Sequence, residues 1–452
     1  MRTETDVCII GAGYAGLTAA RRLSQGGREV VVLEARDRVG GRVWTSSSDG
    51  GVPIDLGGTF VGPMHDRFHA LIKEMGCETH RTYVAGDTIL ANGSKVQRYR
   101  GDVPKINPLA LASAGQAIYR LDAMAKKVPV DAPWDAKKAY EWDATTVHTW
   151  LRSTHVPTQA ARDLLETTVR ALFCCDTSEV SMLDLLFLIK SAGGLTPLMT
   201  VENGYQHEQI VGGAQSVADA MAAELGASVQ LNTPVHTVVR RDGDIEVRGD
   251  DVTVAARHLI LAIPPALAGH LRFDPALPGE RALLLHSMPA GTEIKTIAIY
   301  DEPWWRNDGV SGASAAMDST IEVTLDTSPA SGEVGMLAGY CSGPKARGLA
   351  ALPETERRRV NIDMLVTRFG DKARSPLEYI DVNWWDEEWT RGCSMAHFAP
   401  GVLFHYGHLL RQPLGRIHWA GTETAGTSHG AIDGAVRSGE RAAREIVAAD
   451  QR

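Results

Sequence analysis

The sequence predicts an α/β fold of two interleaved domains, one of them a Rossmann-type nucleotide-binding unit. Three observations carry this. Val7-Cys8-Ile9-Ile10 is an unbroken apolar run, suited to a strand buried on both faces. GAGYAG follows directly, and LTAARRLSQGG then supplies good helix formers ending at Gly26-Gly27. EVVVLEA (29–35) is a second β-branched run that closes a βαβ unit. At 452 residues the chain is too long for one simple core, so a second domain is expected.

The remaining elements extend this frame. The segment 81–209 is richer in helical patterns, such as AARDLLETTVRALF (160–173). VTVAARHLILAIPP (252–265) reads as another buried strand running into a proline-marked turn. KTIAIY (295–300) and NWWDEEW (383–389) read as strands or strand edges of a second sheet, and AIDGAVRSGERAAREIVAA (431–449) as a helix. The expected division gives residues 1–80, 210–285 and 390–452 to the nucleotide-binding domain and 81–209 and 286–389 to a substrate domain.

Composition narrows the function classes. Apolar residues at 44% and charged residues at 22% are ordinary globular values and argue against extensive disorder. A formal charge of −9 offers no basic field for phosphates, which disfavours nucleic acid as a partner. Six cysteines without a CxxC pair read as reduced thiols of a cytoplasmic protein. The N-terminus lacks a signal-peptide profile, and LDLLFLI (183–189) is far too short to span a bilayer, so a soluble chain is expected.

GAGYAG places Gly11, Gly13 and Gly16 in the GxGxxG spacing, and Glu34 ends the second strand 18 residues after Gly16. The first glycine permits the tight turn and the second lets backbone approach a pyrophosphate. The third allows helix and strand to pack closely, while Glu34 can accept from ribose hydroxyls. EARDRVGGRVWT (34–45) adds Arg36, Gly40, Gly41 and Arg42, and IDLGGTFVG (54–62) adds a glycine pair at Gly57 and Gly58. These bring further backbone amides and guanidinium forks toward phosphate. Cys393, in WTRGCSMAHFAPG (389–401), is left open by its residues alone. It can be a small buried thiol, a nucleophile whose base is not oriented, or a ligand without companions at metal spacing, so no metal is expected. Lys295 is either an exposed strand lysine or a buried amine with a lowered pKa.

NGYQHEQIVGG (203–213), AIPP (262–265) and GTEIKTIAIYDEPWWR (291–306) join NWWDEEWTRGCSMAHFAPG (383–401) and LRQPLGRIHWAGTETAGTSHGAIDGAVRSGERAAREI (410–446). With the glycine motifs, this set resembles the flavin-dependent amine oxidases, monoamine oxidases most closely, over essentially the full length. The resemblance implies their two-domain fold and FAD. It brings Gly11, Gly13, Gly16, Glu34, Arg36, Gly41, Arg42, Gly58, Thr59, Val235, Trp384, Gly421, Thr422, Ala431 and Ile432 to the cofactor. It implies a thioether from Cys393 to the flavin 8α-methyl carbon, a water held by Lys295 as the catalytic lysine, and a ring-packing role for Trp384. Trp385 and Trp389 are assigned to core, and Glu423 to structure rather than catalysis. Gln206, Phe60, Ser394, His429 and Ala431 would face the substrate.

The implied activity is oxidation of an amine to an aldehyde or ketone, with a hydride equivalent passing to flavin N5 and O2 becoming hydrogen peroxide. The expected partners are a small-molecule amine and O2, with no nucleic acid or membrane, and a second copy of the chain in a homodimer. Alternatives are an L-amino-acid or polyamine oxidase, dehydrogenation of a C–C bond, and a flavin-binding protein without turnover. The sequence departs from the family pattern at the flavin's substrate face. Two aromatic positions read Ser394 and Ala431, and a tyrosine is Phe60. The expectation is a larger, more polar cavity for a bulkier or more hydroxylated amine, hydrogen-bonded by Ser394 or His429. Monoamine oxidases continue into a C-terminal membrane helix where this chain ends at Arg452, which again favours a soluble protein.

Overall fold

A computed structural model describes residues 2–93, 95–101, 107–153 and 156–451. The strand Arg2–Ile10 lies between Val30–Leu33 and Thr253–Leu261 and runs parallel to both. Both its faces are covered, which is why the run reads as continuously apolar. Val7 and Ile9 enter one core with Leu17, Ala20 and Val436, whereas Cys8 and Ile10 enter another with Leu259, Leu261 and Trp419. Among the described residues this sheet has eight strands.

Thr253–Leu261 divides its far edge between two partners. Residues 253–256 pair antiparallel with Ile245–Gly249, and residues 259–261 pair parallel with Ile417–Trp419. The C-terminal strand therefore enters where the antiparallel partner leaves off. Behind it the helix Ile432–Asp450 packs on the helix Tyr14–Gln25 so closely that a Cβ on Gly439 would sit 2.3 Å from the Ala15 carbonyl oxygen.

A second sheet, of seven described strands, is mostly antiparallel, though Asp87–Asn92 runs parallel to Val310–Ala316. Its strand Glu293–Tyr300 is buried at every residue, between Gly335–Ser342 and Glu378–Asn383. Ile294, Ala298 and Tyr300 pack on one side with Trp304 and Trp305. Ile297 and Ile299 pack on the other with Ile54 and Leu56, and alternation puts Lys295 on that face. The helices Pro108–Ala125, Gln159–Phe173 and Met182–Ser191 share a core of their own. Ser181 caps the last of them by accepting from the Asp184 amide at 3.1 Å.

One expectation fails here. NWWDEEW does not continue as a strand: pairing stops at Asn383, and the chain turns from Trp384 onward. Among the described residues no helix is long and apolar enough to cross a membrane.

Candidate functional site

A cavity of about 550 Å³ opens where three adjacent parallel strands end, at Ile10 and Gly11, at Leu33 and Glu34, and at Ala262 to Pro264. This is the ligand crevice expected of an open α/β sheet. Two helices begin on its wall, Tyr14–Gln25 after Gly13 and Ile432–Asp450 after Ala431. Neither N-cap residue supplies a side-chain cap. Their first amides are thus left for an anion, with both helix dipoles adding to the field.

The three glycines of the fingerprint do different work. A Cβ on Gly11, whose φ is +101°, would lie 2.7 Å from the Ala262 carbonyl oxygen, and one on Gly16 would lie 1.9 Å from that of Gly11. Those two make close backbone packing possible, and Gly16 itself does not line the cavity. At Gly13 an added Cβ would meet nothing closer than the Gly41 Cα, at 3.8 Å. Its bareness leaves room on the cavity side, where a phosphate chain would lie.

Glu34 is buried at the rim, with Oε2 accepting from the Ala12 amide at 2.7 Å and Oε1 from the Arg36 amide at 3.0 Å. Each carboxylate oxygen keeps a lone pair for a ribose hydroxyl. Arg36 lines the cavity, but its guanidinium is bound to Glu387 and Thr390. Arg42 also lines it, and its fork faces Glu423, at 2.6 and 3.0 Å, and the Ser394 carbonyl oxygen, at 2.9 Å. The guanidinium groups expected to grip phosphate therefore meet protein acceptors, while the first amides of the two uncapped helices stay open toward the cavity. Burial alone would raise the Glu423 carboxyl, but Arg42 holds it below the ordinary range. Glu423 also accepts from the Ala396 amide at 3.1 Å, so it fixes the loop carrying Cys393.

Gly41, Gly58, Val235, Cys393, Ser394, Gly421, Thr422, Ala431 and Ile432 all stand on the cavity wall. Cys393 is half-buried, its amide donating to the Gly291 carbonyl oxygen at 2.9 Å. Burial pushes its thiol up despite the nearby cations Arg42 and Lys295. Glu293, beside it, accepts from the Cys174 thiol and is raised by burial to about 7.

Lys295 and Thr59 stand behind the wall rather than on it. The Lys295 ammonium donates to the Gly57 carbonyl oxygen at 2.9 Å and to Thr59 Oγ1 at 2.8 Å, with Gly58 between them facing the cavity. It is 3% exposed, and burial lowers it to about 8.

The tryptophans exchange the expected places. Trp384 is 1% exposed, packs edge-on against Trp44 at 6.3 Å and donates to the Leu56 carbonyl oxygen, and it does not line the cavity. Trp389, expected in the core, does line it, and Trp385 is exposed. His429 is fully buried against Phe187 at 4.6 Å, is pushed down to about 4 by burial, and does not reach the cavity. Gln206 and Phe60 also lie off the wall, Phe60 in a two-residue strand paired with Gln209. Sequence reading assigned no role to Ala262, Ile263 and Thr390, which line the cavity. The AIPP motif was the signal for the first two. Arg38 was missed as well. It lies 4.7 Å over the Trp44 ring and donates to the carbonyl oxygens of Val39, Gly41 and Val43, bracing the glycine loop.

Parallel strands ending at a bare glycine turn, two uncapped helix starts and an acidic ribose acceptor define a dinucleotide-binding protein. The particular family follows from comparison with known proteins. The family model described as flavin containing amine oxidoreductase matches residues 14–447. A protein of Mycobacterium tuberculosis described as a flavin-containing monoamine oxidase, AofH, is 42% identical over 98% of this chain and 96% of its own. A wild-type putrescine oxidase solved with putrescine bound superposes with a TM-score of 0.95 at 32% identity, over 99% of this chain and 100% of that one. The cyclohexylamine oxidase of Brevibacterium oxydans does so with a TM-score of 0.95 at 33% identity, with the same coverage. The chain belongs to the flavin-containing amine oxidoreductase family. It has that family's two-domain α/β fold, and its activity is FAD-dependent oxidation of an amine.

Proposed function

We propose that the protein deaminates an aliphatic or alicyclic amine, converting amine, water and O2 into aldehyde or ketone, ammonia and hydrogen peroxide. The observation that carries this choice is the cavity wall around Cys393, where Ser394, Gly430 and Ala431 present no aromatic side chain. These three positions offer no ring face for π-attraction or stacking with an arylalkylamine beside Cys393. The putrescine and cyclohexylamine named for two structural relatives belong to the favoured class. When bound, FAD accepts the electrons of the amine α-C–H bond and returns them to O2.

The chain's own residues bind and orient. The bare turn at Gly11 to Gly16 and the starts of the two helices take the pyrophosphate, and Glu34 takes a ribose hydroxyl. Arg42 and Glu423 hold the Cys393 loop at its place on the wall, and Lys295 sets a buried amine behind Gly58 that changes protonation near pH 8. Water exclusion falls to the packed layers behind them. In a panel assay of peroxide release, aliphatic and alicyclic amines should exceed benzylamine and tyramine in kcat/KM. Ser394→Tyr should narrow or reverse the difference. Equal kcat/KM across the panel would overturn the assignment.

We also infer that Cys393 tethers the flavin. It is the cysteine among the described cavity-lining residues, and it is held there by Gly291 and the Arg42–Glu423 pair. On acid precipitation the yellow colour should stay with the wild-type pellet and leave with the supernatant of Cys393→Ala. Colour released equally from both would sink the tether. The six unpaired thiols fit a reducing, cytoplasmic setting.

A further inference from the structure

Cys175, Glu179 and His397 each bring one potential ligand atom to within 4.8 Å of the others. None of the three lines the cofactor cavity. Cys175 and Glu179 follow the helix Gln159–Phe173, and His397 lies on the flavin-side loop, four residues after Cys393. Sequence spacing hid this cluster, since 222 residues separate Cys175 from His397.

Two features distinguish the cluster from a chance meeting of polar groups. Cys175 and His397 are 1% and 4% exposed, and the Nδ1 of His397 is buried with no hydrogen-bond partner among the described residues. An unmatched buried polar atom costs about 1–3 kcal/mol, so native interiors seldom keep one without a reason. Glu179 is already oriented, with Oε2 accepting from the Asp176 amide at 2.9 Å and Oε1 from Arg347 at 3.1 Å. Each oxygen has a second lone pair, so neither contact closes the carboxylate to a cation.

We propose that Cys175, Glu179 and His397 form a Zn2+ site that pins the flavin-side loop to the helical layer. A thiolate, an imidazole and a carboxylate form a borderline donor set that favours Zn2+ over Mg2+ or Ca2+, with water completing a tetrahedron. Binding converts the Cys175 thiol to thiolate and releases its proton to solvent, with no change of oxidation state.

The test uses the flavin-loaded protein, stripped with a chelator and reloaded with Co2+ as a spectroscopic stand-in for Zn2+. One Co2+ per chain should give a thiolate-to-metal charge-transfer band, which Zn2+ then abolishes by displacement. Cys175→Ser should remove the band. Glu179→Gln, at a partly exposed position where folding is not threatened, should weaken Zn2+ binding about tenfold or more while the flavin spectrum stays the same. No band in the wild type, a band that survives Cys175→Ser, or equal Zn2+ affinity in wild type and Glu179→Gln would each overturn the site.

Discussion

Replacing Lys295 by methionine is expected to slow oxygen consumption about 100-fold, at the lower end of what a positioned proton-transfer group contributes. Methionine keeps the unbranched stem but removes the amine that bonds Gly57 and Thr59 behind Gly58. The sign of the pH effect follows from burial, which lowers this lysine from 10.5 to about 8. Below about pH 8 it is an ammonium, and above it is a neutral amine able to accept as well as donate a hydrogen bond. Wild-type activity should therefore rise through about pH 8, and the variant should lose that inflection. Comparing both proteins with one amine cancels the substrate's own ionisation. Flavin absorbance separates lost turnover from lost cofactor. An unchanged pH profile in the variant would make Lys295 a packing residue.

Breaking the Arg42–Glu423 pair should give the largest loss of stability. Glu423 is 2% exposed and is held by Nη1 and Nη2 of Arg42 as well as the Ala396 amide. Glu423→Ala leaves a largely buried cation with the Ser394 carbonyl oxygen alone, a change that costs about 3–5 kcal/mol. Removing Arg42 together with Glu423 should cost less than Glu423→Ala by itself, because no stranded charge remains. Urea unfolding of wild type, Glu423→Ala and the Arg42→Met/Glu423→Ala double variant checks both points. A double variant at least as unstable as the single would show that the loop contact to Ala396, and not the charge pair, dominates.

What the sequence made legible was local. The run from Val7 through GAGYAG to Glu34 encodes strand, turn, helix and strand within one short segment, and the structure builds them in that order. The helices 160–173 and 431–449 were readable for the same reason. Contacts across great chain distances were not. Nothing near Arg42 announces that its fork meets a carboxylate 381 positions away, so the phosphate reading was natural and incomplete. The tryptophan roles rested on the resemblance, which says nothing of where pairing stops; it stops at Asn383, and the turn that follows sends Trp384 inward and Trp389 to the cavity. His429 sits in a loop, where no periodicity says which way a ring will point.

The divided edge of Thr253–Leu261 also sets a clock. The nucleotide turn leaves the ribosome with Gly16, but the strand Ile417–Trp419 and the helix beginning at Ile432 arrive roughly 20–80 s later at ordinary rates of synthesis. Until then half of that edge is unpaired and the second helix start is missing. Before that, the growing chain offers one uncapped helix start, after Gly13, where the finished protein offers two.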